Sequence, residues 1–170
     1  MSHAELCTTS NFTFLKGASH PEELVTRAAE LGLSAIAITD HNSLAGVVRA
    51  YAALKEMKRT ASESISIRSS QQMDHSSRQV TGGTSLMRPD IGTQLPKLIV
   101  GARLVLQDSH VHWVALPKDR KGYEALSQLL TLGKRRAEKG ECHLWHRDVL
   151  ERAKGMTLIA LPQAHHRPTA

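Results

Sequence analysis

The pair Asp40-His41 follows Thr39 at the end of an apolar run, Leu33 to Ile38. A carboxylate beside an imidazole can bind a divalent cation, move a proton or handle phosphoryl oxygens. The position matters as much as the residue types, because ligands in open α/β sheets gather at the carboxyl ends of strands. Other constellations invite a chemical reading. Cys142-His143 with His146 offers sulfur and nitrogen donors within one turn. A structural zinc needs four ligands, and no partner pair at zinc-finger spacing occurs, so ordinary turn and helix-start residues are expected. His110 and His112 lie two apart and share one strand face, a ligand-competent geometry. Cys7 has no assignable His-plus-acid arrangement, which favours a partly buried thiol over a nucleophile. Asp74-His75 reads as a solvated pair within a Ser-rich stretch.

The elements that would position Asp40 and His41 are legible around them. Ala4 to Leu6 reads as a first strand that runs into a polar loop, broken by Gly17. Ser19-His20-Pro21-Glu22 fits a capping box, with Ser19 as the cap, Glu22 reaching back and Pro21 where a missing N–H costs nothing. Leu24, Val25, Ala28, Ala29 and Leu31 follow at helical spacing, and Gly32 supplies a left-handed stop. Leu33 to Ile38 is short and β-branched, which predicts a buried parallel strand. A second helix is expected from near Ser43, with Leu44, Val47, Val48, Tyr51, Leu54 and Met57 along one face. From Arg59 to Leu95 the composition turns to Ser, Gln, Thr and Gly, which predicts a disordered insertion. LIVGARLVL and HVHWVALP then read as a β-hairpin turning at Gln107-Asp108-Ser109. Asp119 can cap a helix with Tyr123, Leu126, Leu129 and Leu130 on its face, ending near Gly133 in the basic cluster Lys134-Arg135-Arg136. Leu144 to Arg152 predicts a short helix, and Met156 to Leu161 a last strand. Alternating strands and helices point to an α/β fold with a largely parallel sheet.

The 170 residues suit one domain, since a chain of this size buries roughly 70% of its unfolded surface. Lys and Arg exceed Asp and Glu by 22 to 16, a net charge of +6 that favours polyanionic partners. Lys134, Arg135 and Arg136 are candidates for salt-sensitive DNA contact, although cations there also complement the helix dipole without any ligand. Aromatics make up 4% of the chain, and Tyr123 alone accompanies the basic stretch, which disfavours recognition by base stacking. With two cysteines and no charged-then-apolar leader, a cytoplasmic location is expected. No apolar stretch approaches the ~20 residues needed to span a bilayer, so no membrane partner is expected.

At Ala4-Glu5-Leu6, Ser10 to Ser19, Thr39-Asp40 and Ser43-Leu44-Ala45-Gly46 the chain resembles the amino-terminal PHP (polymerase and histidinol phosphatase) domain of bacterial family C DNA polymerases, nearest to their error-prone branch. The resemblance continues through LIVGARLVL, LPKDRKGYEALSQLLTLGKRRAEKGE and MTLIALP. It implies part of a PHP-type distorted (β/α) barrel with largely parallel strands. Residues 1–58 would form its first part, 59–95 the Ser-rich disordered insertion and 96–163 the continuation. Residues 164–170, with His165-His166, depart from the family pattern and are expected to be an atypical tail from a premature end or shifted frame.

PHP enzymes hydrolyse phosphoesters with clustered metal ions, and the resemblance assigns their ligand positions here. The first motif, His-x-His, falls on Cys7-Thr8-Thr9, which leaves Cys7 as a soft ligand and Thr9 as a lost one. The Asp-His motif is intact as Asp40-His41. A Glu position falls on Arg103, a permanent cation that repels a metal. The later ligand motifs would lie beyond Ala170. The resemblance implies no ligand role for His110 and His112, so exposure or packing is expected of them. The remaining ligands are too few for a polynuclear centre, so no cofactor is expected, and Zn or Mn only if the site functions. Arg103 is expected to pair with Asp40 in an internal salt bridge. The implied role is structural support in an error-prone DNA polymerase, with DNA and the remaining polymerase domains as partners. The alternatives are a metal-dependent PHP phosphoesterase and a small basic nucleic-acid-binding module. A partial barrel would leave a sheet edge uncovered, which predicts self-association.

Overall fold

In the computed structural model, which describes residues 3–71 and 95–162, the strand that ends at Asp40 is the centre of a parallel sheet. β2 (Ala35–Ile38) is buried at all four positions, as expected of an apolar strand covered on both faces. β1 (Ala4–Thr8) and β3 (Lys97–Val100) pair with it in parallel on either side. Two helices make the crossovers, α1 (Pro21–Glu30) and α2 (Ala45–Gln71). They cover one face of β2 through Val25, Ala28, Ile36, Ile38, Ala50 and Leu54. A second sheet, β4 (Ala102–Leu104), β5 (Val111–Pro117) and β6 (Met156–Pro162), is antiparallel throughout. α3 (Arg120–Arg135) and α4 (His146–Arg152) cover it through Leu126, Leu129, Leu130 and Val149. The sheets meet where Ala37 packs on Val114 and Leu116. The expected parallel arrangement therefore describes the first sheet, and no closed barrel forms among the described residues.

Several local expectations shift. LIVGARLVL is two strands in two sheets, split at Gly101, so the hairpin is β4 with β5 only. A Cβ at Gly101 would lie 2.6 Å from Leu116 Cδ2 and 2.9 Å from Thr39 Cγ2. The backbone must pass there without a side chain, and the chain crosses from one sheet to the other at that point. The cap of α1 moves by one residue: His20 precedes the helix and its amide donates to Glu23 Oε2 at 2.8 Å. Glu22 pairs instead with Arg49 on α2. Pro21 opens α1 and Gly32 is left-handed at φ 66°, both as expected.

α2 continues past Arg59 to Gln71, so the first part of the expected disordered insertion is helical. Arg59 bridges Glu56 and Glu63 one turn to either side, and these pairs favour helix where large apolar residues are lacking. The rest of the insertion, with Asp74-His75, and the tail with His165-His166 lie outside the described residues. The buried stripe of α2 is Val47, Ala50, Leu54 and Met57, whereas Val48 and Tyr51 are exposed. Leu44 precedes the helix and packs on the second core. Tyr123 of α3 is also exposed, and its amide closes the first turn on the carbonyl of Asp119. Asp119 caps α3 as expected, accepting from the Gly122 amide at 2.8 Å.

Candidate functional site

Asp40 lies just beyond the carboxyl end of β2, 1% exposed, and its carboxylate is turned inward. Oδ1 accepts from the Ser10 amide at 2.8 Å and from Thr13 Oγ1 at 2.9 Å, and Oδ2 accepts from Ser10 Oγ at 2.8 Å. Ser10 and Thr13 are brought there by the loop after β1, which turns back on itself through Thr13 N to Ser10 O and Gly17 N to Thr13 O. α2 begins five residues after Asp40, and Gly46 in its first turn is so close that a Cβ there would lie 2.4 Å from Asp40 Oδ2. The arrangement is a buried charge compensated by hydroxyl and amide donors, which is the condition for tolerating one in a core.

His41 and Asn42 tie this knot to the second sheet. The His41 amide donates to Thr13 Oγ1 at 3.0 Å, and His41 forms an isolated parallel bridge with Arg103. Its two hydrogen bonds run from Arg103 N to Asp40 O at 3.0 Å and from Asn42 N to Arg103 O at 2.9 Å. Asn42 is left-handed at φ 47°, a conformation its short polar side chain tolerates. Its amide group then mimics a strand, donating to Val105 O at 3.1 Å and accepting from Val105 N at 3.0 Å.

The expected Arg103–Asp40 salt bridge does not form. The two residues are joined through backbone only, because the Asp40 oxygens are already occupied by Ser10 and Thr13. Arg103 Nε donates instead to His112 Nδ1 at 3.1 Å. Register explains the partner: Arg103 pairs with Val114, which puts His112 on the same sheet face as its diagonal neighbour. His112 is thus part of the site rather than a bystander, and its ring meets that of His41 edge-on at 5.6 Å between centroids. Burial and then the Arg103 charge hold His41 at about 4, below its ordinary 6.5, with His112 and Lys16 adding to the shift and Asp40 opposing it. His112 is lowered too, by burial first and then by Arg103 and Lys16. Both imidazoles are neutral near pH 7.

These residues do not fit a metal. Cys7 packs against the apolar cluster of Ala37, Val114 and Leu116, its amide bonded to Glu5 Oε1 at 2.9 Å. Thr9 is a poor ligand by type, the Asp40 carboxylate is turned onto three donors from Ser10 and Thr13, and the Arg103 guanidinium bonds to His112, one of the nearby imidazoles. No group of three His, Cys, Asp or Glu side chains capable of holding a metal occurs among the described residues.

The basic cluster is divided among separate surfaces. Lys134 lines a cleft of about 440 Å³ together with His41, Asn42, Glu138 and Lys139. Arg135 and Arg136 border a different groove, of about 570 Å³, beside Thr131 and Arg152. Arg136 is engaged within the fold, 2.7 Å from Asp148 Oδ2 and 5.3 Å over the Trp145 ring. Burial opposes ionisation of Asp148, yet the Arg136 contact and the Trp145 amide outweigh it and leave the carboxyl below its usual range. Cys142, His143 and His146 do not converge. The Cys142 thiol, pushed up by burial, packs against Gly133, whereas His143 faces Glu141 and His146 faces Asp108.

The PHP domain model matches residues 5–166, and the chain belongs to the PHP domain family. Within that family it corresponds to the PHP region of error-prone DNA polymerases. It is 65% identical to the error-prone DNA polymerase of Ruegeria pomeroyi over 96% of this chain and 15% of that protein. The Caulobacter vibrioides enzyme of that name is 39% identical over 94% of this chain and 11% of its own length. The Brucella abortus one is 38% identical over 96% and 12%. The chain therefore spans at most 15% of the length of these relatives. Among solved structures, a metal-dependent phosphoesterase from Bifidobacterium adolescentis, described in its title as putative, aligns with a TM-score of 0.47 and 20% identity, covering 79% of this chain and 34% of that one. No helix among the described residues is long and apolar enough to cross a membrane.

Proposed function

We propose that this chain serves as a structural, metal-free PHP region of an error-prone DNA polymerase. In this reading the remaining domains extend primers with deoxynucleoside triphosphates across damaged templates, and the work belongs to DNA repair and an SOS-type damage response in the cytoplasm. The observation that carries the reading is the Asp40 carboxylate, buried and turned onto Ser10 and Thr13, whose amide and hydroxyl donors take three of its acceptor positions. Arg103 at a ligand position supports it. What a metal centre would hold together, the loop after β1, the end of β2 and the start of β4, is held here by hydrogen bonds.

The partners in this reading are DNA and the other polymerase domains. Of the expected basic cluster, Lys134 and Arg135 are the residues proposed to contact DNA phosphates, and such contact weakens steeply with salt. Arg136 is withdrawn by Asp148. The outer edges of β1 and β3 are the places where a polymerase domain or a second copy would add. The phosphoesterase alternative is tested by assaying the chain on an aryl phosphate with Zn²⁺ or Mn²⁺, with and without EDTA. No EDTA-sensitive hydrolysis is expected, and hydrolysis that EDTA abolishes would overturn the proposal.

A further inference from the structure

Among the described residues, three of the four sheet edges carry a charge. β1 has Glu5 and β3 has Lys97, both exposed. β4 has Arg103, is three residues long, and bridges to His41 on its outer side. β6 differs in each respect. Its seven residues, MTLIALP, include no charge, and it pairs one-to-one with β5 without a bulge. Charge, brevity and bulges are what keep a sheet edge from adding a further strand, and β6 has only Pro162 at its last position. Both its faces are covered. Met156 and Leu158 pack on the core under α3 and α4, and Ile159 and Leu161 on the seam with the parallel sheet.

The parity of the ladder fixes which backbone groups are open. Lys118 N donates to Gly155 O at 2.9 Å, one step past the Pro117–Met156 pair. Bonded and unbonded pairs alternate in an antiparallel ladder, so Thr157 and Ile159 bond to β5, and the N–H and C=O of Leu158 and Ala160 point to the open edge. No turn, loop or side-chain hydrogen bond among the described residues uses them. Met156 N is spent on Ala153 O at 3.1 Å, and Pro162 has no N–H. The open donors therefore sit in the middle of the strand.

We propose that β6 pairs with β6 of a second copy of this chain, antiparallel across a two-fold axis at Ile159, so that the two antiparallel sheets become one. In that register Leu158 of each copy faces Ala160 of the other, and each such pair exchanges both N–H···O bonds. A large side chain then lies opposite a small one, and Ile159 meets Ile159 on the other face, a β-branched pair suited to a sheet. A strand that meets its own copy brings each of its charges near a like charge, and β6 has none to oppose. The net charge of +6 sets the basic surfaces of two copies against each other, which leaves the neutral edge as the self-compatible one.

The test is sedimentation equilibrium of the full chain from micromolar to millimolar concentration, with hydrogen exchange of the β6 amides followed by NMR at both ends of the range. A monomer–dimer equilibrium is expected. The Leu158 and Ala160 amides should exchange fast when dilute and become protected by about tenfold or more as the dimer forms, while those of Thr157 and Ile159 stay protected throughout. Ala160→Pro removes an outward donor but no bond to β5, a position at which edge strands accept Pro, and should weaken the dimer about tenfold or more. Should that variant not fold, Thr157→Lys, at an exposed position, sets a charge against Leu161 of the other copy and should weaken the dimer several-fold. A dimer that the folded variants leave unchanged, or one in which Leu158 and Ala160 gain no protection, would overturn the inference. A monomer with those amides always protected would show that the chain covers its own edge, and a monomer with them always fast that the edge refuses its copy; each overturns the inference. None of these outcomes touches the metal-free reading of the mouth, which metal content tests separately.

Discussion

Asp40 and His41 adjoin in sequence but do different work. Asp40 gathers three donors from the loop after β1, so Asp40→Ala would leave Ser10 N, Ser10 Oγ and Thr13 Oγ1 without their acceptor. A destabilisation of about 3 kcal/mol or more is expected from urea unfolding, since each orphaned buried donor costs about 1 to 3 kcal/mol. His41 sets a pH dependence. Its folded value of about 4 lies below the ordinary 6.5, so the unfolded chain takes up the proton first as pH falls. The stability it contributes is whole above about 6.5 and lost as pH drops towards 4. With allowance for the ring's partial exposure, the loss is about 1 to 2 kcal/mol. His41→Gln should flatten that part of the stability profile relative to the parent chain, and an unchanged slope would refute the assignment.

At the scale of elements, Gly46 and α2 make opposite demands. Helix propensity alone favours Gly46→Ala by about 1 kcal/mol. The Cβ would press on Asp40 Oδ2 at 2.4 Å, and overpacking costs about 1 to 3 kcal/mol, so net destabilisation is expected in thermal unfolding. Arg59→Ala, by contrast, should lower helix content by circular dichroism and leave the melting midpoint of the core unchanged, because its ion pairs to Glu56 and Glu63 lie on the exposed face of its own helix. Periodicity and turn chemistry made most elements legible: Pro21 and Gly32 bound α1, the apolar Ala35–Ile38 is buried, and Asp119 caps α3. What stayed hidden depends on tertiary neighbours. Gly101 reads as an ordinary strand glycine until Leu116 and Thr39 crowd it. Arg103 next to Asp40 invited an ion pair, and only the register of β4 on β5 reveals His112 as the partner. Ser10 and Thr13 lie in a stretch that carries the family resemblance, but no local pattern announces their bonds to a carboxylate 30 and 27 residues away. His110-x-His112 was visible as a spacing, but its significance required the neighbouring strand.

Across the whole molecule, a parallel sheet with its two helices and an antiparallel sheet with its two helices meet along one apolar seam and one polar junction. The error-prone DNA polymerase of Ruegeria pomeroyi, 65% identical over 96% of this chain, is matched over only 15% of its length. The polar junction is the point where a metal-bound relative and a metal-free one would differ most. Metal content after incubation with Zn²⁺ and Mn²⁺ and then desalting, read by elemental mass spectrometry, tests that difference most directly. The expected result is substoichiometric metal that Asp40→Ala and His41→Gln leave unchanged. Two or more metal ions per chain, lost in those variants, would contradict the account.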